Sequence, residues 1–330
     1  APTASSFQVT IPRGALSGQA FVQAGHQLSG GSTLTILAQN GFAHISAVAF
    51  HPSFKDIWIT DRGLGTGFPS RIARLSFSVN AWLRASPDPD IAANGTIKYQ
   101  GGQGFDSGQM WYLGYANAAT NGGTRQENTA SPGPSTAFTQ IKPGSGNSIY
   151  VLGAATSPAF SNVAFFAYND TTLGEKHIRK LQGGGIVLDG DYGNFGATNL
   201  AFASLSGLAL DQGGNLFDTE TTLVRKITPS ESSSVLVSGF TTAMGIAVDQ
   251  VNASDPGELI VSDSGSGTLY GVDLQLPQKQ TLASGLAKPR AASFATTALN
   301  AATCAKLPNT DLEFVLAGED TQVRQVPDPR

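Results

Sequence analysis

A chain of 330 residues with a formal net charge of −4 and only 13% charged side chains lacks the clustered Lys and Arg that nucleic-acid binding requires. It also lacks an uninterrupted apolar run of about 18 residues, so no helical membrane span is expected. Its 39 glycines and 17 prolines, with no long stretch of helical periodicity, point to an all-β chain rich in turns, and its length fits one domain over residues 1–330.

In chain order, the start Ala1-Pro2-Thr3-Ala4-Ser5-Ser6 has no initiator Met and reads as a mature end left after processing. Residues 1–44 are expected to supply closing strands, with Phe7 to Ile11 and Thr33 to Ala38 as candidates to complete the unit formed by Glu313 to Val326 and remove its exposed sheet edge. Residues 45–326 hold repeated units. The first is SAVAFHPSFKDIWITDRG from Ser46 with RIARLSF from Arg71; the second is GGQGFDSGQMWYLGYAN from Gly101; the third is NVAFFAYND from Asn162 with HIRKL from His177.

The cleanest copy, LSGLALDQGGNLFDTETTLVRKITP, runs from Leu205 to Pro229. It predicts a strand over Gly207 to Leu210, a turn on Asp211, Gly213, Gly214 and Asn215, a strand over Leu216 to Asp218, and another over Leu223 to Ile227. GIAVDQVNASDPGELIVSDSGSGTLYGVDL from Gly245 and EFVLAGEDTQVRQV from Glu313 complete the series. Each second strand ends in a polar marker: Asp61, Asn117, Asp170, Glu220, Asp263 and Asp320, spaced 43 to 57 residues apart. Such units cannot bury both faces alone, so the expected fold is a six-bladed β-propeller of four-stranded blades closed by N-terminal strand exchange.

Three Asn-x-Ser/Thr sequons, at Asn94, Asn169 and Asn252, are candidate glycosylation sites. With few lysines and abundant Ser, Thr, Asn and Gly, they predict a secreted, extracellular glycoprotein. The single cysteine, Cys304, has no internal disulfide partner and reads as an inert thiol.

ISAVAFHPSFKDIWITDRG with SRIARLSF, from Ile45 to Phe77, resembles the His-Pro blade of the soluble glucose/sorbosone dehydrogenase-like propellers, which include quinone-dependent sugar dehydrogenases. GGQGFDSGQMWYLGYANAATNGG, from Gly101 to Gly123, resembles the next blade of that family. From Gly183 to Pro229, GGGIVLDGDYGNFGATNLAFASLSGLALDQGGNLFDTETTLVRKITP instead resembles NHL-repeat propellers. The dehydrogenase likeness implies a His-Asn pair before the Gly-Gly, the His acting as general base. Tyr99 and Gln100 stand there in this chain, and GAATS at Gly153 to Ser157 lacks the family's cofactor-contacting Arg. Pyrroloquinoline quinone is therefore not expected as a cofactor; tyrosine titrates near 10 and is a poor base at neutral pH.

Two kinds of site remain. Asp61, Asp170, Glu220, Asp263 and Asp320, with Glu319, share one structural position at the second-to-third strand turn. They would either hold a calcium ion, as in the gluconolactonase-like propellers, or cap their own turns by accepting backbone N–H groups. The turn reading explains all of them without a site. Tyr99, Gln100, Trp111, Tyr115, Asn117 and Arg62 are candidate ligand-binding residues, because a ring at a strand end can stack on a sugar. The polar stretch Ala116 to Pro134 reads as one long loop beside them. None of the four histidines has metal-ligand spacing. The resulting expectation is a secreted, non-catalytic propeller that binds a glycan or extracellular protein or assembles with itself. The alternatives are a quinone-dependent sugar oxidoreductase and a metal-dependent lactonase-like hydrolase.

Overall fold

The computed structural model describes residues 45–49, 58–61, 151–156, 160, 162–182, 187–193, 202, 204–248 and 257–292 in full, and otherwise the backbone of the strands named below. Every described regular element is a β-strand. The first sheet runs Ile45–Phe50, Ile57–Asp61, Arg71–Ser76 and Ala81–Arg84, each strand antiparallel to the one before. In the second, Ile97–Lys98 and Gln103–Phe105 both pair with Met110–Asn117, which is followed by Gly123–Asn128 and Thr136–Thr139.

The third sheet (Ile149–Ala155, Val163–Asp170, Glu175–Gln182, Ile186–Asp189) and the fourth (Leu208–Leu210, Leu216–Glu220, Leu223–Ile227, Ser233–Ser238) keep the same meander. So does the fifth (Ala243–Asp249, Glu258–Asp263, Thr268–Asp273, Lys279–Ala283). The sixth consists of Ala291–Ala295, Phe314–Gly318 and Gln322–Pro327, and its fourth strand is Thr35–Leu37, with Val323 opposite Ile36. Phe7 to Ile11, the other closing segment expected from sequence, and Cys304 lie outside the described residues.

Each strand's composition follows from what lies on its two faces. Leu216–Glu220 is buried throughout, and its side chains alternate between neighbours. Leu216 packs toward the third sheet with Ala155, Phe165, Ala167 and Ile178, while Phe217 packs toward the fifth with Ile246, Leu259, Val261 and Val272. Full burial of a side chain such as Phe217 stabilises by about 1.5–3 kcal/mol. The outer strand Ser233–Ser238 has no sheet beyond it and none of its residues is buried, which is why it tolerates three serines.

The first strands of the sheets lie side by side. Ile45–Phe50 touches Gln103–Phe105, which touches Ile149–Ala155; contacts continue through Leu208–Leu210, Ala243–Asp249 and Ala291–Ala295, which touches Ile45–Phe50 again. Glycine permits this approach. A Cβ on Gly153 would lie 2.8 Å from the Ser206 carbonyl, one on Gly245 would lie 2.5 Å from Ala291 Cα, and one on Gly207 would collide with the Met244 carbonyl. Gly153, Gly207 and Gly245 are thus the points where the third, fourth and fifth sheets meet the backbone of the next.

Two expectations change at this level. The strand expected to end at Asp218 continues to Glu220, because its partner Leu223–Ile227 pairs with it through Glu220↔Leu223. Ala116 to Pro134 is not one loop, since Gly123–Asn128 within it pairs with Met110–Asn117 along its length. GTRQEN has no apolar alternation to signal a strand; the neighbouring strand's unsatisfied N–H and C=O groups supply the reason for pairing.

Candidate functional site

The second strands converge on a common local construction where they turn into the third. In the first, fourth and fifth sheets the residue before the acidic marker carries a hydroxyl that ties the second strand to the first. Thr219 Oγ1 accepts from Gly207 N at 2.7 Å and donates to the Met244 carbonyl at 2.6 Å, linking the fourth sheet to the fifth. Ser262 Oγ accepts from Gly245 N at 2.8 Å. In the first sheet Thr60 Oγ1 donates to the Ala47 carbonyl at 3.4 Å and accepts from Ser46 Oγ at 3.2 Å. These hydroxyls recur at one fixed step before the acid, a signal present in the sequence but not singled out there.

The acids themselves are buried. Asp170 Oδ1 accepts from Thr172 N at 2.9 Å and Leu173 N at 3.1 Å. Asp263 accepts from Thr241 N at 2.8 Å and Thr242 N at 2.7 Å, and from Gly265 N at 3.2 Å and Ser266 N at 3.4 Å. Burial by itself would raise the Asp263 carboxyl, but the N–H donors stabilise its charge and hold it below the ordinary carboxylate range. Glu220 takes a different partner: Arg225 donates to its Oε1 from Nε at 2.9 Å and from Nη2 at 2.5 Å. Asp61 is buried at the end of its strand and is likewise engaged.

The third sheet adds a polar group the sequence did not reveal. His177 is buried, with Nδ1 2.8 Å from Asp191 Oδ1 and Nε2 3.2 Å from Glu175 Oε2. Its ring stacks on Tyr168 with centroids 5.3 Å apart, and the Arg179 guanidinium lies over the same Tyr168 ring at 5.7 Å. Burial pushes the Tyr168 hydroxyl up to about 12. Both nitrogens of this imidazole therefore face side chains of the same sheet. Asp191 reaches His177 because Tyr192 N donates to the Ile178 carbonyl at 2.8 Å, folding the segment after the outer strand back onto the third.

Among the described residues, no three His, Cys, Asp or Glu side chains come together to hold a metal ion. Asp61, Asp170, Glu220 and Asp263 each end their own second strand and are not gathered into one such group. Of the expected ligand-binding residues, Trp111, Tyr115 and Asn117 belong to Met110–Asn117, with Trp111 opposite Phe105 and Glu127, and Asn117 opposite Ile97. Tyr99, Gln100, Arg62, Glu319 and Asp320, the sequons at Asn94 and Asn252, and His26, His44 and His51 lie outside the described residues. Asn169 is half-buried near the end of Val163–Asp170, opposite Lys176, and Thr171 of its sequon is exposed.

No protein-family model matches the chain, and no curated protein matches its sequence. Solved structures do resemble it. A protein of unknown function from Bacteroides thetaiotaomicron VPI-5482 superposes with a TM-score of 0.58 at 14% identity, over 88% of this chain and 70% of that one. A luciferin-regenerating enzyme gives 0.58 at 12% identity, over 88% of this chain and 92% of that one. Regucalcin from Agrobacterium tumefaciens strain C58, a calcium-binding protein, gives 0.57 at 11% identity over the same shares. These neighbours do not carry the glucose/sorbosone dehydrogenase likeness expected from residues 45–77 and 101–123. With the antiparallel four-stranded sheets, they establish what the repeated units pointed to: the chain has a β-propeller fold.

Proposed function

We propose that this protein is a secreted, extracellular six-bladed propeller of the NHL-repeat kind. Its ring closes by exchange of the N-terminal strand Thr35–Leu37 onto Gln322–Pro327, and it acts as a non-catalytic binding or structural module. The cycle of first-strand contacts and the Val323↔Ile36 pairing support the blade count and the closure. A glycan or an extracellular protein is the partner class, with self-assembly as the structural version of the same role.

One observation carries the non-catalytic reading. At the ends of the second strands, where a propeller can display reactive groups, the described acids that end those strands are held by the protein itself. Asp170 and Asp263 accept from backbone N–H groups and Glu220 accepts from Arg225, while on the third strand beside them both nitrogens of His177 face Asp191 and Glu175. A general base needs a free lone pair within hydrogen-bond reach of the substrate proton. Tyr99 and Gln100 at the position of the dehydrogenase His-Asn pair support the same reading. Stacking of a sugar on Trp111 or Tyr115, with hydrogen bonds from Asn117 and Arg62, is the binding mode this role predicts.

The test is a glycan and extracellular-protein binding screen on the purified chain, run beside lactone hydrolysis with added calcium and dye-coupled sugar oxidation with added pyrroloquinoline quinone. Binding that is lost in Trp111→Ala or Tyr115→Ala, with no turnover in either assay, is the expected result. Calcium-dependent lactone turnover would replace this reading with the lactonase-like one, for which calcium-binding regucalcin is the structural neighbour. Release of carbohydrate mass by an N-glycosidase checks secretion through the sequons at Asn94, Asn169 and Asn252.

A further inference from the structure

The fourth sheet has a carboxylate where the other described sheets have an uncharged side chain. Two residues before the acid that ends each second strand stand Ile59 in the first sheet, Tyr168 in the third and Val261 in the fifth, all buried; the fourth has Asp218, also fully buried. Asp218 lies opposite Leu208 and Arg225 in the pairing register. It shares a strand face with Leu216, and that face meets the third sheet, where Leu208 and Leu216 pack against Ala155, Phe165 and Ala167. Neither Asp218 oxygen has a hydrogen-bond partner.

The charged groups around it do not neutralise it. On its own strand, Glu220 follows two residues later on the same face. On the third strand, Arg225 stands opposite but donates Nε and Nη2 to Glu220. Leu208–Leu210 carries no charge, and neither do residues 151–155 of the strand packed against it. Val163–Asp170 turns Phe165 and Ala167 to this seam. Lys176 and Lys180 share that face on the next strand outward, and Lys180 Nζ sits over the Phe165 and Tyr192 rings, 5.5 Å from each centroid. A buried carboxylate in such surroundings is costly when ionised and tolerable when protonated.

We propose that Asp218 is a proton-dependent latch on the seam between the third and fourth sheets: protonated, it lets the two sheets close, and ionised, it loosens them. Burial first, then the neighbouring Glu220 charge, hold its carboxyl well above the usual carboxylate range, against the opposing pull of Arg225. The sign follows from linkage. A carboxyl raised in the folded state binds its proton more tightly there than in the unfolded chain, so its ionisation costs stability as pH rises from about 4, the unfolded value, toward the folded value. Across that window the unfolding equilibrium constant of the native protein rises about tenfold per pH unit relative to a variant that cannot ionise at this position.

The experiment compares the native chain with Asp218→Asn and with Asp218→Val, the residue of the fifth sheet, by denaturant unfolding at a series of pH values from about 4 to 8. All other titrating groups are common to the three proteins and cancel in the differences. The expected result is that both variants gain on the native protein as pH rises, with Val the more stable at every pH. Amide exchange at the upper end of the range should be slower in both variants at Leu208–Leu210 and Val151–Ala155, and unchanged in Thr268–Asp273. Stability curves that run parallel to that of the native chain, or variants less stable than it at the upper end, would overturn the proposal.

Discussion

The fourth and fifth sheets solve one construction problem with different electrostatics. Both bring a glycine, Gly207 just before the first strand or Gly245 within it, against the backbone of the next sheet, and both pin it with a hydroxyl, Thr219 or Ser262. The fifth then makes a turn over residues 264–267 before the third strand resumes at Thr268, and its N–H groups, with Thr241 and Thr242, wrap the Asp263 carboxylate. The fourth has room only for Thr221 and Thr222 between Glu220 and Leu223, so its longer acid reaches Arg225 instead. The difference teaches that the repeat conserves a backbone junction, while the acid's partner depends on turn length. A second consequence concerns pH: stability from Asp263 fades in acid, whereas the burden of Asp218 grows as pH rises from about 4.

The comparison can be broken most severely at the shared junction. Gly245→Ala sets a Cβ against Ala291 Cα, backbone that cannot swing away, and the expected loss is about 3 kcal/mol or more, read from urea or thermal unfolding. Gly190→Ala meets only the end of Arg179 at 3.7 Å and serves as the near-neutral control.

Arg225→Met is the next largest change and affects only the fourth sheet. It strands Glu220 beside Asp218, and a loss of about 2–3 kcal/mol is expected, below the cost of breaking a fully buried pair because the Arg225 side chain is 25% exposed. The corresponding change in the fifth sheet, Asp263→Asn, should cost about 1–2 kcal/mol at neutral pH. Its carboxyl is lowered in the folded state, so this contribution is present above the unfolded value of about 4 and is lost as pH falls through the folded one. Unfolding curves of the native chain and Asp263→Asn should therefore converge in acid; a constant gap would show that the charge is not what the four N–H groups recognise.

Thr219→Val sharpens the comparison most gently. It keeps shape but removes the bonds to Gly207 N and the Met244 carbonyl, with an expected loss of about 1–2 kcal/mol. Exchange of the Gly207 amide should increase while amides of the fifth sheet's second strand keep their protection.

Much of this was legible before any coordinates. The turn after Leu210 was readable from Asp211, Gly213, Gly214 and Asn215: Asp211 accepts from Asn215 N at 2.7 Å, and Gly214 takes φ 83°. The acids at the second-strand ends were legible in position, because a repeat places equivalent residues at equivalent ends. Gly123–Asn128 was not legible, because its polar sequence becomes a strand only beside Met110–Asn117.

The sequence by itself determined the repeated unit, the all-β class and the turn residues, since each depends on contacts between residues close along the chain. Tertiary structure alone decided which side chains lose water. Asp218 lies one hydroxyl residue before Glu220 and looks, in sequence, like one more acid near a turn; it becomes a buried, unpartnered carboxyl because the third sheet covers its face. His177 stands 14 residues from Asp191, and their pairing exists only because the outer segment folds back across the third strand. Burial and partner choice are properties of stacked sheets, and no single unit of the repeat contains them.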